Sequence, residues 1–286
     1  MASGLLLAPG ALSGAELGIG AAAWYAWWDP YWSQVSDTRV LPRIRIGSEF
    51  SGGPLLNVSF NETWGLSASY AYGRYEGRAT SFLLNPLYYY IEQPVATQRE
   101  ARRHDAGLLI SGRPHSRIKL YGGVAYSGYL MSTRASVAVL SYSLRVFHHL
   151  AGPVIGVECS IPIVPDLFLY PGVSGVFQFS RFKDESGDRA GAFLNSRFGG
   201  TDTTLLYAGL DLALSLAYTI RRIGVTLAIG GRFRCLWITD IEKKGFVADG
   251  RHDMLGGINL TAMYTFSLTA PAADREGERE PLQQSR

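Results

Sequence analysis

Nine charged residues alternate with aliphatic neighbours along the chain: Arg43, Arg45, Glu49, Lys119, Glu158, Asp211, Arg232, Arg234 and Asp253. Carboxylates and cations held on one side of extended segments can do two kinds of work. They can neutralise one another as an internal ion-pair network, or they can line a passage and tune what crosses it. Asp211 and Arg232 fit either role. If Arg221-Arg222 is a two-residue turn, counting outward puts Asp211 opposite about Arg232 on the next strand. Such a pair neutralises two charges in a low-dielectric setting.

A second set is basic and aromatic. Arg99, Arg102 and Arg103, with His104, follow Tyr88-Tyr89-Tyr90 in a long polar stretch. On an exposed loop these groups suit lipopolysaccharide phosphates or a host glycan, and the same composition also fits a solvated loop. His148-His149 invites a hydrolytic reading. Adjacent strand residues point to opposite faces, so only one of the two can reach a common interior. No serine–histidine–acid or paired-carboxylate set falls at one height, so no catalytic residue is assigned and no enzyme is expected. No metal site and no cofactor are expected either. Cys159 and Cys235 lie in separate predicted strands on the outer face and read as free thiols.

The elements that position these groups follow from a period of two. Between 205 and 220, Leu206, Leu210, Leu212, Leu214 and Leu216 all sit at even positions, opposite Gly209, Asp211, Ala213 and Ser215. A hydropathy window flags the stretch as a membrane helix, yet its period is that of a strand. The same alternation predicts ten strands, at about 16–28, 41–60, 64–75, 104–112, 117–131, 143–162, 166–181, 205–220, 223–240 and 252–268. Parity persists across Gly52-Gly53-Pro54, which predicts one long strand with a bulge or kink there. Short turns near 61–63, 113–116, 163–165 and 221–222 alternate with long connections at 29–40, 76–103, 132–142, 182–202 and 241–251. Trp24, Trp27, Trp28, Tyr31 and Trp32 read as an interfacial girdle.

These features predict an all-β fold, a transmembrane antiparallel up-and-down β-barrel of about ten strands, with eight as the alternative count. Charged residues make up 18 % of the chain, below the roughly 25 % of an ordinary globular protein. One face of each strand is aliphatic and aromatic. The other is mostly Gly, Ala, Ser and Thr, too small to fill a soluble sandwich core. A closed barrel satisfies its backbone inside lipid, and strands of about 9–11 residues cross it at a tilt. The expected partners are outer-membrane lipid, a small-molecule solute and a host ligand met by the loops. A net charge of +3 is too small to argue for nucleic acid. Residues 1–15 resemble a truncated signal-peptide remnant, residues 16–268 the barrel, and residues 269–286 a disordered periplasmic tail. The bacterial outer membrane is the expected location.

Two stretches carry a family resemblance. GPLLNVSFNETWGLSASYAYGRY, from Gly53 to Tyr75, resembles the second and third strands of the OmpW family of small outer-membrane barrels. AGLLISGRPHSRIKLYGGVAYSGY, from Ala106 to Tyr129, resembles its fourth and fifth strands, with Tyr121-Gly122-Gly123 at the centre. The likeness covers about 53–181. It implies passage of small, rather hydrophobic molecules through a narrow barrel with a lateral exit. The competing expectation is a surface adhesin or ligand-binding protein that acts through loops 76–103 and 182–202.

Overall fold

The computed structural model of the chain describes residues 15–30, 46–84, 92–137, 140–184, 202–242 and 250–268. The segments assigned to a signal remnant and a tail lie outside them, apart from Ala15. Eleven strand segments form one antiparallel sheet: β1 Glu16–Asp29, β2 Glu49–Ser59, β3 Trp64–Leu84, β4 Glu92–His115, β5 Ile118–Val137, β6 Leu140–Cys159, β7 Ile161–Val164, β8 Leu167–Asp184, β9 Asp202–Ile220, β10 Val225–Asp240 and β11 His252–Ser267. Neighbours in sequence pair in space, β1 pairs β11, and β6 pairs β8, so the sheet closes on itself. β6 and β7 are one strand broken at Ser160. Glu158 faces Gly172 and Ile161 faces Leu169, so the stagger against β8 is unchanged across the break. The barrel therefore has ten staves, the larger of the two expected counts.

Closure gives every ladder a partner, which an open sheet cannot do at its edges. The expected bulge in β2 is absent. Ser51 faces Gly73 and Leu55 faces Ser69 in one continuous register, while Gly53 and Pro54 drop out of the pairing with β3. Pro54 lacks an N–H, so the ladder has a gap rather than an inserted residue.

The larger corrections concern where strands end. β3 and β4 stay paired as far as Leu84 and Glu92, so most of 76–103 is a hairpin and not a loop. β5 and β6 pair as far as Val137 and Leu140, which removes the long connection at 132–142. The short turns share one rim. At one of them the Asn61 carboxamide oxygen accepts from the backbone N–H of Thr63 and Trp64 at 2.9 and 2.7 Å. Arg221–Ile223 forms a single 3-10 turn closed by Gly224 at φ 64°, a left-handed position that glycine takes without steric cost. The Arg221 guanidinium pairs with Asp166 in the neighbouring turn.

The outer face carries the apolar side chains. Phe50, Val124, Ile155, Leu210, Ile229 and Leu260 are large, aliphatic or aromatic, and exposed. They lie on six different strands and form part of a belt around the barrel. Large apolar belts of this kind mark a surface made for lipid. Toward the long-connection rim the belt stops. On β3 the outward series runs Leu66, Ala68, Tyr70, Tyr72 and then Arg74, Glu76, Arg78. On β4 it runs Ile110, Leu108, Ala106, His104 and then Arg102, Glu100, Gln98. The Tyr70 hydroxyl meets His104 Nδ1 at 2.7 Å, and the Tyr126 hydroxyl meets His149 Nδ1 at 2.7 Å. This row is an aromatic girdle, whose rings suit a boundary that is apolar on one side and wet on the other.

Candidate functional site: a braced barrel interior

Ion pairs fill the middle of the barrel. Asp211 on β9 lies directly opposite Arg234 on β10, and Arg232 lies opposite Ala213. The sequence reading is thus corrected by two residues, because the turn holds four residues, 221–224, and not two. One carboxylate nevertheless serves both arginines. Arg232 Nε donates to Asp211 Oδ1 at 2.6 Å, and Arg234 donates to Oδ2 from Nε at 2.9 Å and from a terminal nitrogen at 2.8 Å. All three side chains are buried. Two-pronged guanidinium–carboxylate contacts are among the stronger hydrogen bonds available to a protein.

A second group meets the first from the opposite wall. Arg103 on β4 holds Asp105 through Nε at 2.8 Å and a terminal nitrogen at 3.2 Å, and the Ser127 hydroxyl donates to Asp105 at 2.6 Å. Arg103 also lies 3.8 Å from Asp253 on β11. Its guanidinium stacks over Trp28 on β1 at 4.9 Å, and the Trp28 indole N–H donates to Asp253 at 3.1 Å. Arg232 stacks over Trp24 at 5.0 Å. Three staves, β3, β2 and β1, lie between β4 and β11 along the sheet, so the Arg103–Asp253 contact crosses the interior rather than following the wall.

Large rings close the level toward the long connections. Trp28 packs edge-on against Tyr75 of β3 at 5.4 Å and Tyr129 of β5 at 5.1 Å. His148 sits between Tyr129, Ser180 and Tyr207, with its Nδ1 2.5 Å from the Tyr129 hydroxyl. Nearer the short turns, Phe168, Tyr170 and Met263 are buried together. The expectation of an inner face made mainly of small residues is therefore corrected. The mid-barrel cavity lined by Trp24, Tyr75, Asp105, Arg234 and Asn259 has a volume of about 20 Å³, room for roughly one water molecule.

The predicted site residues separate into three groups. Lys119, Glu158, Asp211, Arg232, Arg234 and Asp253 face inward, and Lys119 stands directly opposite Glu158 on the paired strand. Glu49 begins β2 on its inward parity. Arg43 and Arg45, like Tyr88, Tyr89 and Tyr90, lie outside the described residues. Arg99, Arg102 and Arg103 are corrected from a loop to strand β4. Arg99 and Arg103 are buried and inward, and Arg102 alone points out. Trp24 and Trp28 are also corrected, since only Trp27 of that cluster's described members faces outward. Sequence reasoning missed Asp105 and Arg103 as interior groups. Their signal was present: Ala106, Leu108 and Ile110 are outward, so odd positions of that strand are inward.

No family model matches the chain, the OmpW family included, and no curated protein sequence matches it. Among solved structures, the outer membrane protease OmpT from Escherichia coli is 13 % identical. It aligns over 88 % of this chain and 94 % of its own at a TM-score of 0.46. The translocator domain of the autotransporter NalP from Neisseria meningitidis is 11 % identical over 91 % of both chains at 0.40. The toluene transporter TodX from Pseudomonas putida is 7 % identical over 91 % of this chain and 92 % of its own at 0.32. Likenesses this distant bear on neither activity nor ligand. The barrel architecture stands on the strand pairing itself.

Proposed function

We propose that this protein is a bacterial outer-membrane barrel that works at its outer rim, as a ligand-binding surface protein. The observation that carries this reading is the pairing of filling and projection. Its interior is braced by side chains that meet across the axis. Its sheet, meanwhile, extends far beyond what a membrane needs. β4 has 24 residues where a tilted crossing takes about 9–11. The excess lies on the long-connection side, where the outward residues turn polar. A paired sheet standing in water presents a rigid surface at low entropic cost, which suits recognition of a host or envelope ligand. The reading is non-catalytic and assigns no reaction to His148 and Ser180, which are both buried.

Uptake of small solutes is the second reading, and one observation favours it. Among the described residues the mid-barrel filling consists of side chains rather than backbone, and side chains can change rotamer without unfolding the wall.

Trimming the hairpin tests the first reading. Replacing residues 78–98 with a short turn should leave a barrel that still folds and shifts on heating in gels. Cells displaying the trimmed protein should lose capture by immobilised glycans or matrix proteins that bind cells displaying the full chain. Equal capture by both chains would contradict a binding role for the projecting sheet.

A further inference from the structure

The outer face holds a notch at the level of the aromatic girdle. Gly128 on β5 forms its floor. In register, His104 of β4 and His149 of β6 stand directly on either side of that glycine. One row toward the short turns lies Tyr126, and one row the other way lie Arg102, Leu130 and Phe147. The cavity has a volume of about 180 Å³. Tyr126 lies across the glycine: a Cβ at position 128 would come within 2.4 Å of the Tyr126 hydroxyl, so a larger residue there would push that ring aside and reshape the notch.

Donors surround this space and grease lies beneath it. Arg102 is half exposed, and its bond to Glu100 engages Nε at 2.9 Å, one of five guanidinium N–H donors. Each histidine meets a tyrosine hydroxyl through Nδ1. When that hydroxyl donates, the ring proton sits on Nε2 and makes it a donor too. Beyond the girdle the outward groups of β3 to β6 include Arg74, Arg78, Arg102, Arg134 and Arg145 against Glu76 and Glu100 among the described residues. Their sum is positive. Toward the short turns the outward residues are Leu108, Val124 and Ile155, all exposed.

We infer that this notch binds the phosphate of a membrane-lipid headgroup, with the acyl chains lying along Leu108, Val124 and Ile155. Phosphate chemistry matches a guanidinium flanked by imidazole donors. The position, where aliphatic belt gives way to arginine, is where a headgroup sits. An anion free in solution would gain nothing from the aliphatic slope below. This inference rests on the membrane reading of the belt.

Binding can be measured on the full chain in neutral-detergent micelles by native mass spectrometry. The probes are dioleoyl phosphatidic acid, dioleoylglycerol and inorganic phosphate. The protein should retain phosphatidic acid in preference to dioleoylglycerol. Arg102→Gln and Gly128→Leu should each weaken that retention about tenfold, and equimolar inorganic phosphate should not displace the lipid. Both substitutions face outward, and heat-shifted gel mobility verifies that each variant folds. Retention unchanged in both folded variants, or equal retention of dioleoylglycerol, would overturn the inference. Displacement by equimolar phosphate would also overturn it, by making the notch a site for a free anion. Failure of the membrane reading shows separately, as a barrel that does not insert into lipid vesicles.

Discussion

Asp211→Ala is expected to destabilise the folded barrel by about 3–5 kcal/mol, the cost of removing one partner from a buried ion pair. The upper part of that range applies, because one carboxylate serves two guanidinium groups. Its loss leaves Arg232 and Arg234 buried beside each other with their principal countercharge gone. Two like charges in a low-dielectric interior repel, and their desolvation is no longer offset. Urea unfolding of the refolded protein in micelles gives the number. A companion experiment separates bracing from selectivity. Replacing the whole triad with apolar residues, as Asp211→Leu, Arg232→Met and Arg234→Met together, should recover most of the lost stability. A filter predicts otherwise: near-native stability for the single substitution and a changed preference among permeating ions.

The second large effect concerns glycines that face inward. A Cβ at Gly209 would lie 2.0 Å from the Cys235 carbonyl oxygen and 2.9 Å from Leu236 Cα. At Gly152 it would lie 2.0 Å from the Phe177 carbonyl oxygen and 2.9 Å from Gln178 Cα. These neighbours are backbone atoms of the adjacent strand and cannot rotate away. The adjacent strand comes in against the inner face at these points, and only a residue without a side chain lets two strands approach so closely. Gly209→Val and Gly152→Val are therefore expected to cost about 3 kcal/mol or more each, at or beyond the usual range for overpacking, and to slow refolding into micelles. Gly231→Val is the control. It faces lipid, the nearest atom to its Cβ is 4.0 Å away, and its effect should stay within about 0.5 kcal/mol. Equal losses at all three positions would show that strand propensity, not barrel curvature, sets the need for glycine.

Strand parity was legible in the sequence wherever lipid enforces it. Leu210, Leu212, Leu214 and Leu216 must all be apolar because they share one solvent, so Asp211 could be placed inside without coordinates. Past the girdle that constraint ends. Arg74, Glu76 and Arg78 point into water, and so do Gln98, Glu100 and Arg102. With polar residues on both faces the alternation vanishes, although the hydrogen-bonded ladder continues to Leu84. The stretch before His104 therefore read as a loop, which left Arg103 out of the interior set, whereas Asp105 fell within the strand expected over 104–112 and its odd position already pointed inward.

The turn at 221–224 shows a second limit. A 3-10 turn and a two-residue turn leave the same apolar pattern on the flanking strands, yet they shift the register by two residues. That shift decides which arginine stands opposite Asp211. Contacts across the axis, such as Trp28 with Tyr129 or Arg103 with Asp253, join strands far apart in sequence. No local pattern records them. They depend on barrel diameter and side-chain length together, which is why the filled interior appeared only with the structure.

The barrel is closed at mid-height by its own side chains. Single-channel recording of the full protein in a planar lipid bilayer tests it most directly. The expected result is insertion, verified by protease protection of the barrel strands, with no steady conductance above the bare bilayer. A stable open-state current that changes its ion preference in Asp211→Asn would contradict it and restore the channel reading.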